Sequence, residues 1–169
     1  MTTTLVLGGA RSGKSRRAQA LAEAASGARL YLATAEARDD EMADRIARHK
    51  AERGAGWRTV ETPLAIVDAI RGEARAGEAI LVDCLTLWLS NLFETERDVA
   101  EETEALCDCL RETAGHVILV SNEIGLGLVP ESALGRSFRD AQGRLNQAAA
   151  RAADRVEFMV AGLPLVVKG

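Results

Sequence analysis

Between Thr3 and Arg17 the chain reads Thr-Thr-Leu-Val-Leu-Gly-Gly-Ala-Arg-Ser-Gly-Lys-Ser-Arg-Arg, and few folds accommodate that order. Leu5, Val6 and Leu7 form a short apolar run suited to a buried parallel strand, and Gly8 ends it. Gly8, Gly13, Lys14 and Ser15 then match the phosphate-loop spacing G-x-x-x-x-G-K-[ST]. Several backbone N–H groups converge on one anion only where Cβ atoms are kept out of the tight points, as Gly8, Gly9 and Gly13 keep them out. Gly8, Gly9, Ala10, Arg11, Ser12, Gly13, Lys14 and Ser15 are therefore the candidate polyphosphate cradle. The following helix aims its N-terminus at the phosphates. In this reading Lys14 reaches the β- and γ-phosphates and the Ser15 hydroxyl ligates Mg²⁺. The alternative is a glycine turn that happens to end in Gly-Lys-Ser. The context favours the cradle: a strand precedes, and Ala18, Leu21, Ala22 and Ala25 fall on one helical face before Ser26 and Gly27 stop the helix.

A length of 169 residues with 47% apolar content suits one domain spanning 1–169. The formal charge of -4, with no basic tail and no aromatic–basic interleaving, leaves no expectation of a nucleic-acid partner. Basic residues gather near the loop and in Arg45–Arg53, which reads as a small-ligand site. Cys84, Cys107 and Cys109 are odd in number and lack zinc spacing, so a reducing cytoplasm is the expected compartment. The first residues read as a strand rather than a signal segment, and no apolar run is long enough for stable membrane insertion.

Ala28–Ala33 reads as a second strand, parallel to the first through a right-handed crossover. Ligands in such sheets sit beyond the carboxyl ends of the strands, which brings Ala33, Thr34 and Ala35 near a nucleotide by topology alone. Asp39–Arg53 reads as a charged helix in which Met42, Ile46 and His49 share a face, with Arg45 and Arg53 on either side of His49. Two readings of His49 stand. Cations beside it would depress its pKa and keep a neutral, nucleophilic imidazole next to a polyphosphate. Alternatively it is a surface histidine on a solvated face, which spacing alone favours. Trp57–Glu61 reads as a short strand, and Thr62-Pro63 as the start of a helix with Ile66, Val67 and Ile70 inward. Glu61 suits a ribose hydroxyl, a magnesium ion or the cap of that helix.

Glu78–Asp83 is an apolar strand ending in a carboxylate, the Walker B arrangement when a phosphate loop lies upstream. A plain strand-end acid is the alternative for Asp83. Leu85, Trp88, Leu89 and Leu92 share a helical face, with Trp88 read as core or subunit interface. Asp98 and Glu101 suit a helix cap before Val99, Thr103, Leu106, Leu110 and Ala114. His116–Ser121 is a buried strand leading into Asn122–Pro130, a loop with an amide, an acid and two glycines that either touches ligand or simply turns the chain. Ser132 caps a helix with Leu134, Phe138, Ala141, Leu145, Ala148 and Ala152 on one stripe and Arg139, Gly143 and Asn146 on another. A helical glycine costs about 1 kcal/mol against alanine, which close approach of a ligand or a neighbouring subunit would offset. Val156–Val160 and Leu165–Val167 close the chain as a hairpin. The expected fold is a three-layer α/β domain of the P-loop NTPase (RecA-like) class, with a mostly parallel sheet and a C-terminal antiparallel edge hairpin. No Asn-Lys-x-Asp follows the later strands, so guanine would not be read as regulatory GTPases read it.

Five stretches together carry a family resemblance: Gly8–Ser15, Asp39–His49 with its Asp-Asp-Glu-Met and Arg-Ile-x-x-His, Trp57–Glu61, Ser121–Pro130, and Phe138–Asn146 with its Phe-Arg-Asp-x-x-Gly-Arg-x-Asn. Over nearly its whole length the chain resembles the bifunctional adenosylcobinamide kinase/adenosylcobinamide-phosphate guanylyltransferases of cobalamin biosynthesis. The resemblance implies phosphorylation of adenosylcobinamide by ATP or GTP. It then implies transfer of GMP from GTP to adenosylcobinamide phosphate through a GMP–histidine intermediate, giving adenosylcobinamide-GDP. It implies His49 as the nucleophile, reversing the odds that spacing alone sets. It carries binding roles to Gly8–Ser15 and to Ala33, Thr34, Ala35, Lys50, Ala51, Glu52, Arg53, Glu61 and Asp83, and it implies a homotrimer with active sites between subunits. Some members have His at the position of Arg48, Pro at that of Gly54 and Glu at that of Asp83. A plain phosphate-loop kinase without nucleotidyl transfer, and a non-catalytic nucleotide-binding subunit, are the other readings.

Overall fold

The apolar runs pair into one seven-stranded sheet in the computed structural model of the chain, which describes residues 2–37, 44, 53–54, 56–73, 75 and 77–169. The strands are β1 (Thr2–Gly8), β2 (Arg29–Ala33), β3 (Trp57–Glu61), β4 (Ala79–Asp83), β5 (His116–Asn122), β6 (Arg155–Val160) and β7 (Leu163–Lys168). Their order is β3-β2-β4-β5-β1-β6-β7. Every neighbouring pair is parallel except β6 and β7, which form the antiparallel edge. The described helices are α1 (Lys14–Ala25), α2 (Ile66–Glu73), α3 (Leu85–Glu94), α4 (Val99–Glu112) and α5 (Ala133–Ala152).

Alternation along the strands divides the core in two. Leu5, Leu30, Leu32, Ile80, Val82, Val117 and Leu119 face α2, α3, α4 and α5. Val6, Tyr31, Leu81, Ile118 and Val120 face Ala18 and Ala22 of α1. Interior strands covered on both faces must be apolar at successive residues, which is why they read as short continuous runs rather than alternating ones. All parallel strands deliver their carboxyl ends to one edge. There β1 stands between β5 and β6, and β5 separates it from β4.

The caps are as the residue types require. Asp98 accepts from the amides of Ala100 and Glu101 at the start of α4, and Ser132 accepts from Gly135 at the start of α5. Trp88 is fully buried, with its indole N–H on the Leu64 carbonyl at 2.8 Å, so it is a core residue of this chain. The helix expected from Thr62-Pro63 begins later, at Ile66. Thr62 N–H is held by Ala33 O at 2.8 Å, and the carbonyls of Pro63 and Leu64 are taken by Asn91 and Trp88 of α3. Those side-chain donors outcompete a first helical turn. Leu134 also departs from its expected stripe, since it is 68% exposed while Ala141 and Leu145 are buried. Apart from Asp44 and Arg53, most of the helix expected over Asp39–Arg53 lies outside the described residues.

One ion-pair cluster ties α1 to the sheet. Glu157 of β6 is fully buried, and its two oxygens receive Arg17 Nε and Nη2 at 2.7 and 2.8 Å, with Arg155 Nε at 2.9 Å. The hydrogen bonds from Arg17, reinforced by those from Arg155 and by both charges, hold the Glu157 carboxyl below the usual carboxylate range. A depressed folded-state pKa contributes stability above the unfolded carboxyl value, and that contribution is lost as pH falls through the folded value. Glu157→Ala leaves two guanidinium groups facing each other and is expected to cost on the order of 3 kcal/mol. Urea midpoints at neutral pH with an unchanged slope check it. The gap between variant and parent should narrow as the buffer is acidified below the ordinary carboxylate range; a constant gap would refute the ionic origin.

Candidate active site

In the phosphate loop between β1 and α1, Gly8 and Gly13 stand where the backbone disfavours a side chain, whereas at Gly9, expected to be a third such point, a Cβ would meet nothing within 4 Å among the described residues. Gly13 has φ 98° in the left-handed region and stands at the N-cap of α1 without a side-chain cap, so the first amides of the helix are open to a ligand. At Gly8 a Cβ would lie 2.7 Å from Ser12 Oγ and 2.8 Å from the Met159 carbonyl, closer than any side chain tolerates. The Ser12 hydroxyl is buried in this loop and has no hydrogen-bond partner among the described residues. An orphaned hydroxyl beside a helix N-terminus and a buried lysine suits an anion. Lys14 Nζ donates to Gly9 O at 2.6 Å, folding the ammonium over the loop it belongs to.

The loop is braced from both sides. Gly162, in the turn between β6 and β7, donates its N–H to Ser12 O at 3.0 Å. Glu123, just past β5, donates its N–H to Gly8 O at 3.1 Å. A cleft of about 500 Å³ opens on the hairpin side, lined by Arg11, Ser12, Arg16 and Met159 among others. Another sizeable cleft, about 520 Å³, lies between α4 and α5 and shares no residue with the loop.

On the far side of β5, Asp83 ends β4 and its Oδ2 receives the Tyr31 hydroxyl at 3.0 Å. Burial, and then the Asp83 charge, push the Tyr31 hydroxyl well above its ordinary pKa, so it stays a donor to the carboxylate. The Arg53 guanidinium lies over the same ring, 3.6 Å from its centroid. Arg53, Tyr31 and Asp83 therefore form one chain of contacts. Tyr31 is not among the residues that sequence reasoning singles out; a tyrosine inside an apolar strand carries no signal of its polar end until the neighbouring strand is known.

The residues after β2 take different roles. Thr34 is fully buried: its hydroxyl accepts from Cys84 N–H at 2.8 Å and donates to Cys84 O at 2.9 Å, while its carbonyl receives Asn91 Nδ2 at 2.9 Å. Thr34 is thus a splint between the ends of β2 and β4, and its hydroxyl is committed to that task. Cys84 is buried, and that burial, reinforced by the Asp83 charge, pushes its thiol up to about 11, so it is neutral at pH 7. Ala33 and Ala35 sit half-buried at the same edge. Glu61 is exposed and pairs in register with Ala33 on the outermost strand, four strand spacings or roughly 19 Å from β1, so it does not meet the phosphate loop. His49, Lys50, Ala51 and Glu52 lie outside the described residues.

A second polar group, missed from sequence except for Asn146, supports the edge from beneath. Ser121 Oγ donates to Asn146 Oδ1 at 2.7 Å, Gln142 Nε2 reaches Ser121 Oγ and Asn146 Oδ1 at 3.0 and 2.9 Å, and Asn146 Nδ2 holds the Asn122 carbonyl at 3.1 Å. Asn146 and Gln142 are one helical turn apart on α5, a spacing visible in the sequence; their shared target on β5 is not. A Cβ at Gly143 would meet nothing within 4 Å among the described residues.

Comparison with known proteins gives the arrangement a family. A model of the family described as cobinamide kinase / cobinamide phosphate guanyltransferase matches residues 4–167. The bifunctional adenosylcobalamin biosynthesis protein CobP of Pseudomonas aeruginosa is 54% identical over 167 residues, covering 98% of this chain and 96% of its own. The corresponding CobU proteins of Salmonella typhimurium and Escherichia coli are 41% and 39% identical over 179 residues, each match covering 97% of this chain and 98% of theirs. Among solved structures, an ATPase domain matches with a TM-score of 0.51 over 93% of this chain and 68% of that one. At 14% identity that likeness speaks for the fold alone.

Proposed function

The chain belongs to the cobinamide kinase / cobinamide phosphate guanyltransferase family, and from that premise we propose that it carries out both reactions on adenosylcobinamide. It phosphorylates the aminopropanol hydroxyl with ATP or GTP and then transfers GMP from GTP to that phosphate. The family match across 4–167 carries this reading, and a phosphate loop whose lysine, open amides and orphaned serine hydroxyl suit an anion supports it.

In the first reaction the substrate oxygen bonds to the γ-phosphorus, the bridge to the β-phosphate breaks, and the hydroxyl proton passes to water. Lys14 and the amides of Gly9–Ser15 neutralise and orient the chain of phosphates, so catalysis is mostly positioning and charge stabilisation. In the second reaction a neutral His49 nitrogen attacks the α-phosphorus of GTP and pyrophosphate leaves. The cobinamide phosphate then displaces histidine from GMP, giving adenosylcobinamide-GDP. Arg53, Lys50, Ala51 and Glu52 belong to the same segment as His49 and are proposed to line the nucleotide with Ala33, Ala35, Glu61 and Asp83.

Mg²⁺ fits the donors present. Ser15 offers a hydroxyl and Asp83 a second carboxylate oxygen that carries no hydrogen bond among the described residues. Among those residues there is no cluster of three or more His, Cys, Asp or Glu, and magnesium needs none when phosphates complete its shell. Ser15 and Asp83 would hold it, and it would offset the phosphate charge.

The homotrimer is proposed on the same family grounds. Leu163, Leu165, Val166 and Val167 of the edge strand β7 are all exposed, as are Leu126, Leu128 and Val129, and such apolar surface suits contact between copies. A cytoplasmic setting accords with three free, buried cysteines. No described helix is long and apolar enough to cross a membrane.

The reading is tested by incubating the protein with Mg²⁺, GTP and adenosylcobinamide and resolving products by mass over time. Adenosylcobinamide phosphate should rise first and then give way to adenosylcobinamide-GDP with matching pyrophosphate. Accumulation of the phosphate alone would reduce the protein to a kinase, and no product from folded, nucleotide-binding protein would remove the enzymatic reading.

A further inference from the structure

Asn122 lies at the carboxyl edge of the sheet, beside the start of the phosphate loop. It is the last residue of β5, the strand between the phosphate-loop strand and the strand that ends in Asp83. Its register partner on β1 is Gly8, where the phosphate loop begins. Asp83 is the register partner of Val120 on the other side. Residues alternate across a strand, so Asn122 presents its side chain to the same face as Val120 and Asp83. That face is the one covered by α1, from whose first turn Lys14 and Ser15 arise. Asn122 thus stands between the loop and the Walker B acid, on their side of the sheet.

The strand end is held by its backbone, and the side chain is left over. Asn122 N–H donates to Thr86 Oγ1 at 2.9 Å, its carbonyl accepts from Asn146, and the next amide, Glu123 N–H, donates to Gly8 O. The carboxamide itself makes no hydrogen bond among the described residues and is half-buried. Two buried side chains, Gln142 and Asn146, and the Ser121 hydroxyl are spent on fixing this one terminus. An anchored backbone bearing an uncommitted amide is how a donor is pre-oriented for a group that arrives later.

We propose that the Asn122 carboxamide is a catalytic residue of the kinase reaction, donating its N–H to an oxygen of the γ-phosphoryl group as that group passes from the nucleotide to the substrate hydroxyl. The inference rests on the nucleotide seating its phosphates in the Gly8–Ser15 loop, as proposed above. As the phosphoryl group is transferred, charge spreads over its equatorial oxygens and the bridge to the β-phosphate lengthens. A donor fixed at the loop's edge strengthens its bond at that moment and makes no demand on a nucleoside diphosphate, which lacks the group. Gln142 and Asn146 are positioning residues, acting through the Asn122 backbone.

The test is steady-state kinase kinetics on Asn122→Ala, Asn122→Leu and Asn122→Asp beside Lys14→Ala, with ADP affinity and thermal midpoint measured on each. Asn122→Ala should lower kcat about 10- to 100-fold, the range for a hydrogen bond to a charged group, while KM for ATP and the ADP affinity stay within about twofold. Asn122→Asp keeps the shape, removes the donor and adds a charge that repels the phosphoryl group, so its kcat should fall at least as far. Asn122→Leu, nearly isosteric and uncharged, removes the donor without that repulsion, so a fall in its kcat matching that of Ala reports the lost hydrogen bond, and Leu decides the matter if Ala fails to fold. Near-parental kcat in the Leu or the Asp variant, with Lys14→Ala inactive, would overturn the role of Asn122 and leave the phosphate site standing. Near-parental kcat in Lys14→Ala as well would instead overturn the phosphate-loop reading, and the inference with it.

Discussion

Lys14→Ala is expected to lose both phosphoryl and guanylyl transfer by a factor on the order of 10² to 10³, with the fold intact. Removing one charged donor from a site where phosphate charge develops costs about that much. The lysine's hydrogen bond to Gly9 O is that of a charged donor, worth about 1.5–3 kcal/mol to stability, so the thermal midpoint should fall by several degrees while the fold is kept. Lys14→Arg should not restore activity. A guanidinium is a planar fork, whereas Lys14 acts through a compact ammonium that folds back onto Gly9 O. The measurement is kcat/KM for each half-reaction, the second assayed with supplied cobinamide phosphate. Loss of the kinase half alone would show that the two reactions do not share one phosphate site.

His49→Ala is expected to separate the activities. Guanylyl transfer should fall below detection and phosphorylation should stay within about threefold, because the γ-phosphoryl passes directly to the substrate hydroxyl. With GTP labelled at the α-phosphorus, the parent protein should retain label after denaturation, as an adduct labile to acid and stable to alkali, and the variant none. Full guanylyl transfer by the variant would sink the covalent mechanism. His116 offers no substitute. It opens β5 at the opposite edge of the sheet and its Nδ1 is paired with the Thr2 hydroxyl at 2.9 Å.

Much of this was legible in residue order because its causes are local. The glycine spacing at Gly8 and Gly13 is a demand of the backbone, visible without any partner, and the strand before and helix after it follow from adjacent residues. Asp98 and Ser132 cap within three residues of themselves. Continuous apolar runs announce buried parallel strands wherever they sit. The family resemblance draws on the same linear patterns, and so reaches His49 even though that segment lies outside the described residues.

Other features needed partners distant along the chain. Thr62-Pro63 has the residues of a helix start, but Asn91 and Trp88 take the carbonyls that follow and delay α2 to Ile66. Thr34 is near the candidate site in sequence and in space, yet its hydroxyl serves Cys84, 50 residues away. Tyr31 becomes a partner of Asp83 only when β2 and β4 pair.

The sequence by itself determined the phosphate loop, the α/β alternation, the caps and the family, since each is encoded in spacings of a few residues. The tertiary structure alone decided that β5 would lie between the loop and Asp83, that Glu61 would be carried to the outermost strand, and that Asn122 would face Gly8. Strand order arises from which apolar faces bury one another, a competition among distant segments that no local spacing records.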